Sequence, residues 1–194
     1  MLWLSGYGVA SAAVFQSLLL SSTTSATLGL FAAADRVRAG VQGLFTAFGS
    51  AVFPRFVQDQ VEGYAVGQTM VWPLLRLQVV AALLAGLPIF IFAPEIVRVV
   101  LGPQFLESAP VLRVLAFALL STTMLAGLGV QVMLPCGLGP HYTLATLTVL
   151  ALQCLWLLLL VPRHGATGAA CALVFSEGIV AVVLLMTLAR RKTR

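Results

Sequence analysis

Long stretches without a formal charge limit this chain more than any other feature. Residues 1–34, 77–94 and 114–162 contain no Lys, Arg, Asp or Glu. A helix needs about 20 apolar residues to cross the roughly 30 Å hydrocarbon layer of a bilayer, so runs of this kind read as membrane spans. The last run is long enough for two spans, and Pro135, Gly137, Gly139 and Pro140 supply turn chemistry near its middle. Charge is sparse elsewhere too: 9% of residues are charged and 60% hydrophobic, whereas an average soluble domain carries about a quarter of its residues as charges. Too few charges remain to cover a soluble surface. The runs are continuously apolar rather than alternating over roughly ten residues, which sets aside a transmembrane barrel. The expected fold class is therefore all-α, a polytopic transmembrane helix bundle.

Hydropathy places six spans, at about 2–21, 28–53, 72–92, 109–133, 142–161 and 166–188. Ser21 to Ser25 reads as a short polar turn, and 54–71, with Arg55, Asp59 and Glu62, as a longer loop that Pro54 opens and Trp72 closes. The partly apolar stretch 93–108 reads as lying in the membrane interface, with a short helix in it. Net charge is +5, but four of the eleven basic residues fall in the last five positions. These residues, Arg190, Arg191, Lys192 and Arg194, predict a cytoplasmic tail rather than a nucleic-acid surface. With six spans the N-terminus is then cytoplasmic as well. Residues 1–10 carry no basic n-region, so a signal peptide is not expected. Cys136, Cys154 and Cys171 have no ligand spacing around them and read as small packing residues.

No catalytic constellation stands out. His141 and His164 lie in turns, with no carboxylate or thiol at a spacing that makes a metal site or a triad. The charges inside the spans carry the functional signal, because ionisable groups at that depth are costly and usually face protein interior or water. Asp35, Arg36 and Arg38 sit a turn or two inside the second span. At 100° per residue Asp35, Arg38, Gln42 and Thr46 share one stripe, while Gly43, Ala47 and Ala51 form a small-residue face suited to close helix packing. Asp35 and Arg38 can neutralise each other across i, i+3, leaving Arg36 in excess. This pattern suits an aqueous cavity that receives an anion, with Arg36 and Arg38 holding it and Gln42 and Thr46 hydrogen-bonding nearby. Glu177, alone in the last span, is expected to pair with an Arg of another helix or to take part in ion coupling. Gly165, Gly168, Ala169 and Ala170 precede it as a second packing face.

Four segments taken together resemble the C-terminal part of bacterial polysaccharide flippases in the multidrug/oligosaccharidyl-lipid/polysaccharide exporter superfamily. They are LGLFAAADRVRAG at 28–40, VFPRF at 52–56, APEIVRVVLGPQFLESAPVLRVLA at 93–116 and VPRHGATGAACALVFSE at 161–177. The resemblance implies one six-helix lobe of a two-lobe transporter in the inner membrane. Its N-terminal lobe would be supplied in cis or as a separate chain. By alternating access the two lobes would move an undecaprenyl-pyrophosphate-linked oligosaccharide or polysaccharide precursor across the bilayer. It implies no cofactor, no covalent chemistry and no nucleic-acid partner. The rival readings are a drug/cation antiporter of the same superfamily, with Asp35 or Glu177 binding the coupling ion, and a non-transporting membrane scaffold.

Overall fold

The structure of the protein is a computed structural model that describes residues 25–62, 64–134 and 137–192, and side chains among them except at 46, 48–71, 74 and 189–192. The expected span 2–21 and Cys136 lie outside the described residues. Every regular element described is helical. Helix α1 (Ser25–Glu62) leads to α2 (Tyr64–Ile91) and the short α3 (Ala93–Val100), and a 3-10 turn, Pro103–Ser108, leads into α4 (Ala109–Ala126). Helix α4 runs on as a π-helical segment, Gly127–Met133, and α5 (Gly139–Lys192) closes the chain. Pro103–Met133 and Gly139–Leu188 are long and apolar enough to cross a membrane; Leu75–Ile91 qualifies jointly with α3, to which it is bent by 82°.

Helix α5 is not one rod. At Gly165 the backbone takes φ 54° and ψ −131°, a conformation open to glycine because it has no Cβ. Arg163 and His164 stand in the turn just before the break, where positive charge complements a helix C-terminus. The two arms, 139–164 and 166–192, fold back on each other. Trp156 and Phe175 meet with ring centroids 6.1 Å apart, although a straight helix would hold them about 28 Å apart at 1.5 Å per residue. Gly168 lets the arms touch, since a Cβ there would lie 2.5 Å from the Leu160 carbonyl oxygen. Each arm is about 40 Å long and can cross a bilayer by itself.

A second tight crossing joins α2 to α4. A Cβ at Gly86 would lie 3.0 Å from the Ala116 carbonyl oxygen, and one at Gly127 would lie 2.5 Å from Leu75 Cδ1. The order of these pairs makes α2 and α4 antiparallel. Phe90 and Phe117 pack edge to face at 5.4 Å beside the first crossing. The stretch expected in the interface is α3, turned steeply from α2 by Phe92 and Pro94. Ala93 and Val97 are buried while Val99 and Val100 are exposed, the amphipathic pattern of a helix lying on a surface. Gly102 ends it at φ 97°, with its N–H donating to the Val97 carbonyl at 3.1 Å.

Burial is divided into two apolar cores. One gathers Phe31, Ala34, Val97, Leu115, Leu119, Leu157, Val161 and Leu173 toward the Gly165 end. The other gathers Leu75, Leu125, Leu128, Met133, Ala145, Val149, Val180 and Leu184 toward the opposite end. The outer surface is also apolar, with Leu77, Leu84, Leu87, Leu144, Leu158 and Met186 all exposed. Exposed leucines on α2 and on α5 suit contact with hydrocarbon.

Two sequence expectations are corrected. The segment 54–71 is not a loop: α1 continues to Glu62, α2 begins at Tyr64, and Pro54 lies inside α1. Proline removes one hydrogen bond and is tolerated within membrane helices, where the freed carbonyl finds other partners. Pro73 and Pro88 likewise lie inside α2, and Phe92 N–H still reaches the Pro88 carbonyl at 2.8 Å. Nor does Gly43 serve close packing among the described residues, for nothing lies within 4 Å of the Cβ position at Gly40 or Gly43. The small residues of α5, by contrast, are packed: Ala169 and Ala170 are fully buried.

Candidate functional site

Between the two apolar cores lies a layer of polar side chains contributed by α1, α4 and both arms of α5. On α4 the upper core stops at Leu119, the lower one begins at Leu125, and the buried Ser121 and Thr123 fall between. On the second arm of α5 the cores stop at Leu173 and resume at Val180, with buried Ser176 and partly buried Glu177 between. On the first arm Gln153 is buried between Val149 and Leu157. Glu177 lies about 18 Å along its arm from Gly165, near the middle of that arm.

The layer is hydrogen-bonded across helices. Thr122 Oγ1 donates to Glu177 Oε2 at 2.5 Å and Ser121 Oγ donates to the same oxygen at 3.2 Å. Arg38 Nε donates to Asp35 Oδ1 at 2.7 Å, with 13% and 25% of the two side chains exposed. Gln42 Nε2 reaches Thr123 Oγ1 at 3.5 Å, the outer limit of a hydrogen bond. The charges of Arg38 and Asp35 also act on Glu177. The guanidinium is bonded to the carboxylate on its own helix.

Of the residues singled out from sequence, Asp35, Arg38, Gln42 and Glu177 meet in this layer. Helical spacing had put the first three on one stripe; their meeting with Glu177 is a result of the fold. Arg36 is not part of it. One residue along from Asp35 it points about 100° away, is exposed, and makes no ion pair among the described residues. Thr46 lies on α1 one turn beyond Gln42, and its side chain is outside those described. The hydroxyls of Ser121, Thr122 and Ser176 and the amide of Gln153 were not anticipated. The run Ser121-Thr122-Thr123 within an otherwise apolar, uncharged segment was the available signal.

A smaller polar pair sits in the lower core, where Gln131 Nε2 donates to the buried Gln78 Oε1 at 3.1 Å. It is placed by the π-helical segment, whose Leu134 N–H bonds to the Gly129 carbonyl at 3.0 Å. A Cβ on Gly129 would run into the Tyr142 ring.

Fold and site together define an all-helical bundle, apolar outside, with a charged and hydroxyl-rich layer between its two apolar cores. Compared with protein families, with curated proteins and with solved structures, the chain has no match.

Proposed function

We propose that this chain is one lobe of an alternating-access transporter that moves an undecaprenyl-pyrophosphate-linked oligosaccharide or polysaccharide precursor across a bacterial inner membrane. The observation that carries the reading is the polar layer. Each ionisable group at mid-bilayer costs about 3 kcal/mol on insertion scales, and apolar residues of the same volume would pack a scaffold at lower cost. A lobe that concentrates Asp35, Arg38 and Glu177 at one depth is built for something charged that passes there. In this reading Arg36, exposed on α1, and Arg38, in the layer, engage the pyrophosphate from different sides of the helix, with Gln42 and Thr46 as neutral partners. Arginine suits the task because its planar fork binds phosphate oxygens in pairs. Glu177, held by Thr122 and Ser121, competes with Asp35 for Arg38, so that a change at any of the three is felt by the others.

A second reading, a cation or drug antiporter, is favoured by one specific feature: two carboxylates, Asp35 and Glu177, lie within electrostatic reach of each other and of a single guanidinium, and either carboxylate, once released, would take up a cation. Substrate decides between them. The chain, with its first lobe where one is encoded, is reconstituted and assayed for translocation of a lipid-linked oligosaccharide and for cation efflux. Arg36→Ala and Arg38→Ala should each abolish lipid translocation per unit of folded protein, and Arg36→Lys should restore little of it. Wild-type translocation by both alanine variants, or cation efflux lost through Glu177→Gln without any lipid movement, refutes the flippase reading.

A further inference from the structure

Neutral polar side chains leave the charged layer in one direction only. On the face of α4 that Gln42 of α1 and Gln78 of α2 reach, Gln42 Nε2 meets Thr123 Oγ1 at 3.5 Å. One turn further, about 6 Å along the helix, Gly127 stands in the same row. A Cβ there would lie 3.4 Å from Gln78 Oε1 and 4.0 Å from Gln131 Oε1, and the two amides are joined to each other at 3.1 Å. Gln131 is itself partly exposed, two residues before the π-helical segment ends at Met133. Toward Gly165 the layer meets a different wall. Ala34, Leu112, Leu115, Leu119 and Leu157 are fully buried there. Among the described residues the buried polar side chain beyond them is Ser108, whose hydroxyl is spent on the Phe105 carbonyl at 2.7 Å.

Two features give the row a use. Gln131 Oε1 is buried and accepts no hydrogen bond among the described residues, which is costly for an amide oxygen in an apolar core. A buried water relieves such a group where about two or more polar partners converge, and here the oxygens of Gln78 and Gln131 face the same glycine. The second feature is apolar. The Cβ position at Gly127 lies 2.5 Å from Leu75 Cδ1, so a methyl group rests on the glycine midway along the row. That methyl is the free end of a side chain with other staggered positions open to it. An apolar group set into a polar passage closes it by dewetting and opens it by moving aside.

We propose that this row is a water path into the polar layer, open toward the end of the bundle that carries Gly139, closed toward Gly165, and gated at Gly127 by Leu75. With the Leu75 methyl against Gly127 the row is interrupted. With that methyl turned aside, water runs from Gln131 past Gln78 to Thr123 and Gln42. The carboxylates of the layer then exchange protons with one aqueous phase and not with the other. The path does not depend on what the layer transports.

The test is thiol modification of the full chain in membrane vesicles of either orientation, in a background of Cys136→Ala, Cys154→Ala and Cys171→Ala. The probe is a small charged methanethiosulfonate that does not cross the bilayer. His141→Cys and Gln104→Cys, both at exposed positions, mark the two ends of the bundle. Gln131→Cys should be modified from the side that modifies His141→Cys and protected from the side that modifies Gln104→Cys. Thr123→Cys should react from the same side as Gln131→Cys but more slowly, because Leu75 must move first. Leu75→Ala should speed Thr123→Cys by about tenfold or more and leave Gln131→Cys unchanged. Leu128→Ala, which opens a like cavity in the same core off the row, should change neither. Gly127→Ala sets a methyl into the row, so it should abolish modification at Thr123→Cys and spare Gln131→Cys; it decides the matter if Leu75→Ala does not fold. An unreactive Gln131→Cys or modification of Thr123→Cys from the Gln104 side overturns the proposal. Equal acceleration by Leu75→Ala and Leu128→Ala, or a Thr123→Cys rate that Gly127→Ala leaves unchanged, does so as well.

Discussion

Two glycines on the second arm of α5 make the hairpin directly testable. At Gly168 a Cβ would stand 2.5 Å from the Leu160 carbonyl oxygen and 2.8 Å from its carbon, whereas at Gly178 it would meet nothing within 4 Å. Both are helical, so alanine brings each the same intrinsic gain of about 1 kcal/mol. In Gly168→Ala the obstacle is backbone, which cannot swing aside as a side chain would. Relieving it to an ordinary contact moves the arms from 2.5 to 3.4 Å at this point, a gap that forfeits about a quarter to a half of the dispersion energy of the facing atoms. Overpacking of this kind costs about 1–3 kcal/mol. Gly168→Ala should therefore destabilise by up to about 2 kcal/mol net, while Gly178→Ala should be neutral or stabilising by up to about 1 kcal/mol. Unfolding by sodium dodecyl sulfate in mixed micelles, followed by circular dichroism, reads both. The opposite signs are the content of the prediction. Two variants of equal stability would mean that the arms do not touch at residue 168, and the reversal at Gly165 would lose its main support.

Two further outcomes follow from the same geometry. Arg38→Ala should lower the yield of folded protein, because it leaves Asp35 and Glu177 uncompensated at depth, and Asp35→Ala in addition should recover part of it; a double-mutant cycle on unfolding should give a coupling of about 1–3 kcal/mol, and zero coupling would show that the 2.7 Å bond carries no weight. Gly165→Ala should cost about 1–3 kcal/mol from its φ of 54° alone, visible in the same denaturation assay as a lowered midpoint, and an unchanged midpoint would place the reversal at another residue.

Much of the helical layout was legible from apolar runs, because membrane helices announce themselves by length and lack of charge. The expected spans 109–133 and 142–161 with 166–188 coincide closely with α4 plus its π-helical end and with the two arms of α5. The turn at Gly165 could be read from Pro162, Arg163, His164 and Gly165 standing together. Where sequence reasoning failed, it weighed polar and proline residues as in water. Pro54, Asp59 and Glu62 suggest a surface loop, yet glutamate and glutamine are good helix formers and one proline does not end a long helix. The charged stripe of α1 followed from 100° periodicity. Its convergence with Glu177 did not, since periodicity within a helix says nothing of which neighbour it meets. Arg36 illustrates the same limit: its excess charge and its place off the stripe were visible, but only the packed bundle shows that it is exposed and outside the layer.

The π-helical segment has a consequence for how the sequence can change. A π turn holds one residue more than the α turn it replaces, so everything beyond Gly127–Met133 is rotated by about 100° relative to an uninterrupted α-helix. Gln131 faces Gln78, and Gly129 admits the Tyr142 ring, only in that phase. Deleting a single residue in this stretch would restore a regular helix of nearly the same length and apolarity, and hydropathy would register no difference. It would nonetheless swing the turn before Gly139, and the whole hairpin carried by it, about the axis of α4. The chain is thus indexed at this point: substitutions that preserve size and polarity can drift freely through the span, whereas insertions and deletions are barred from it.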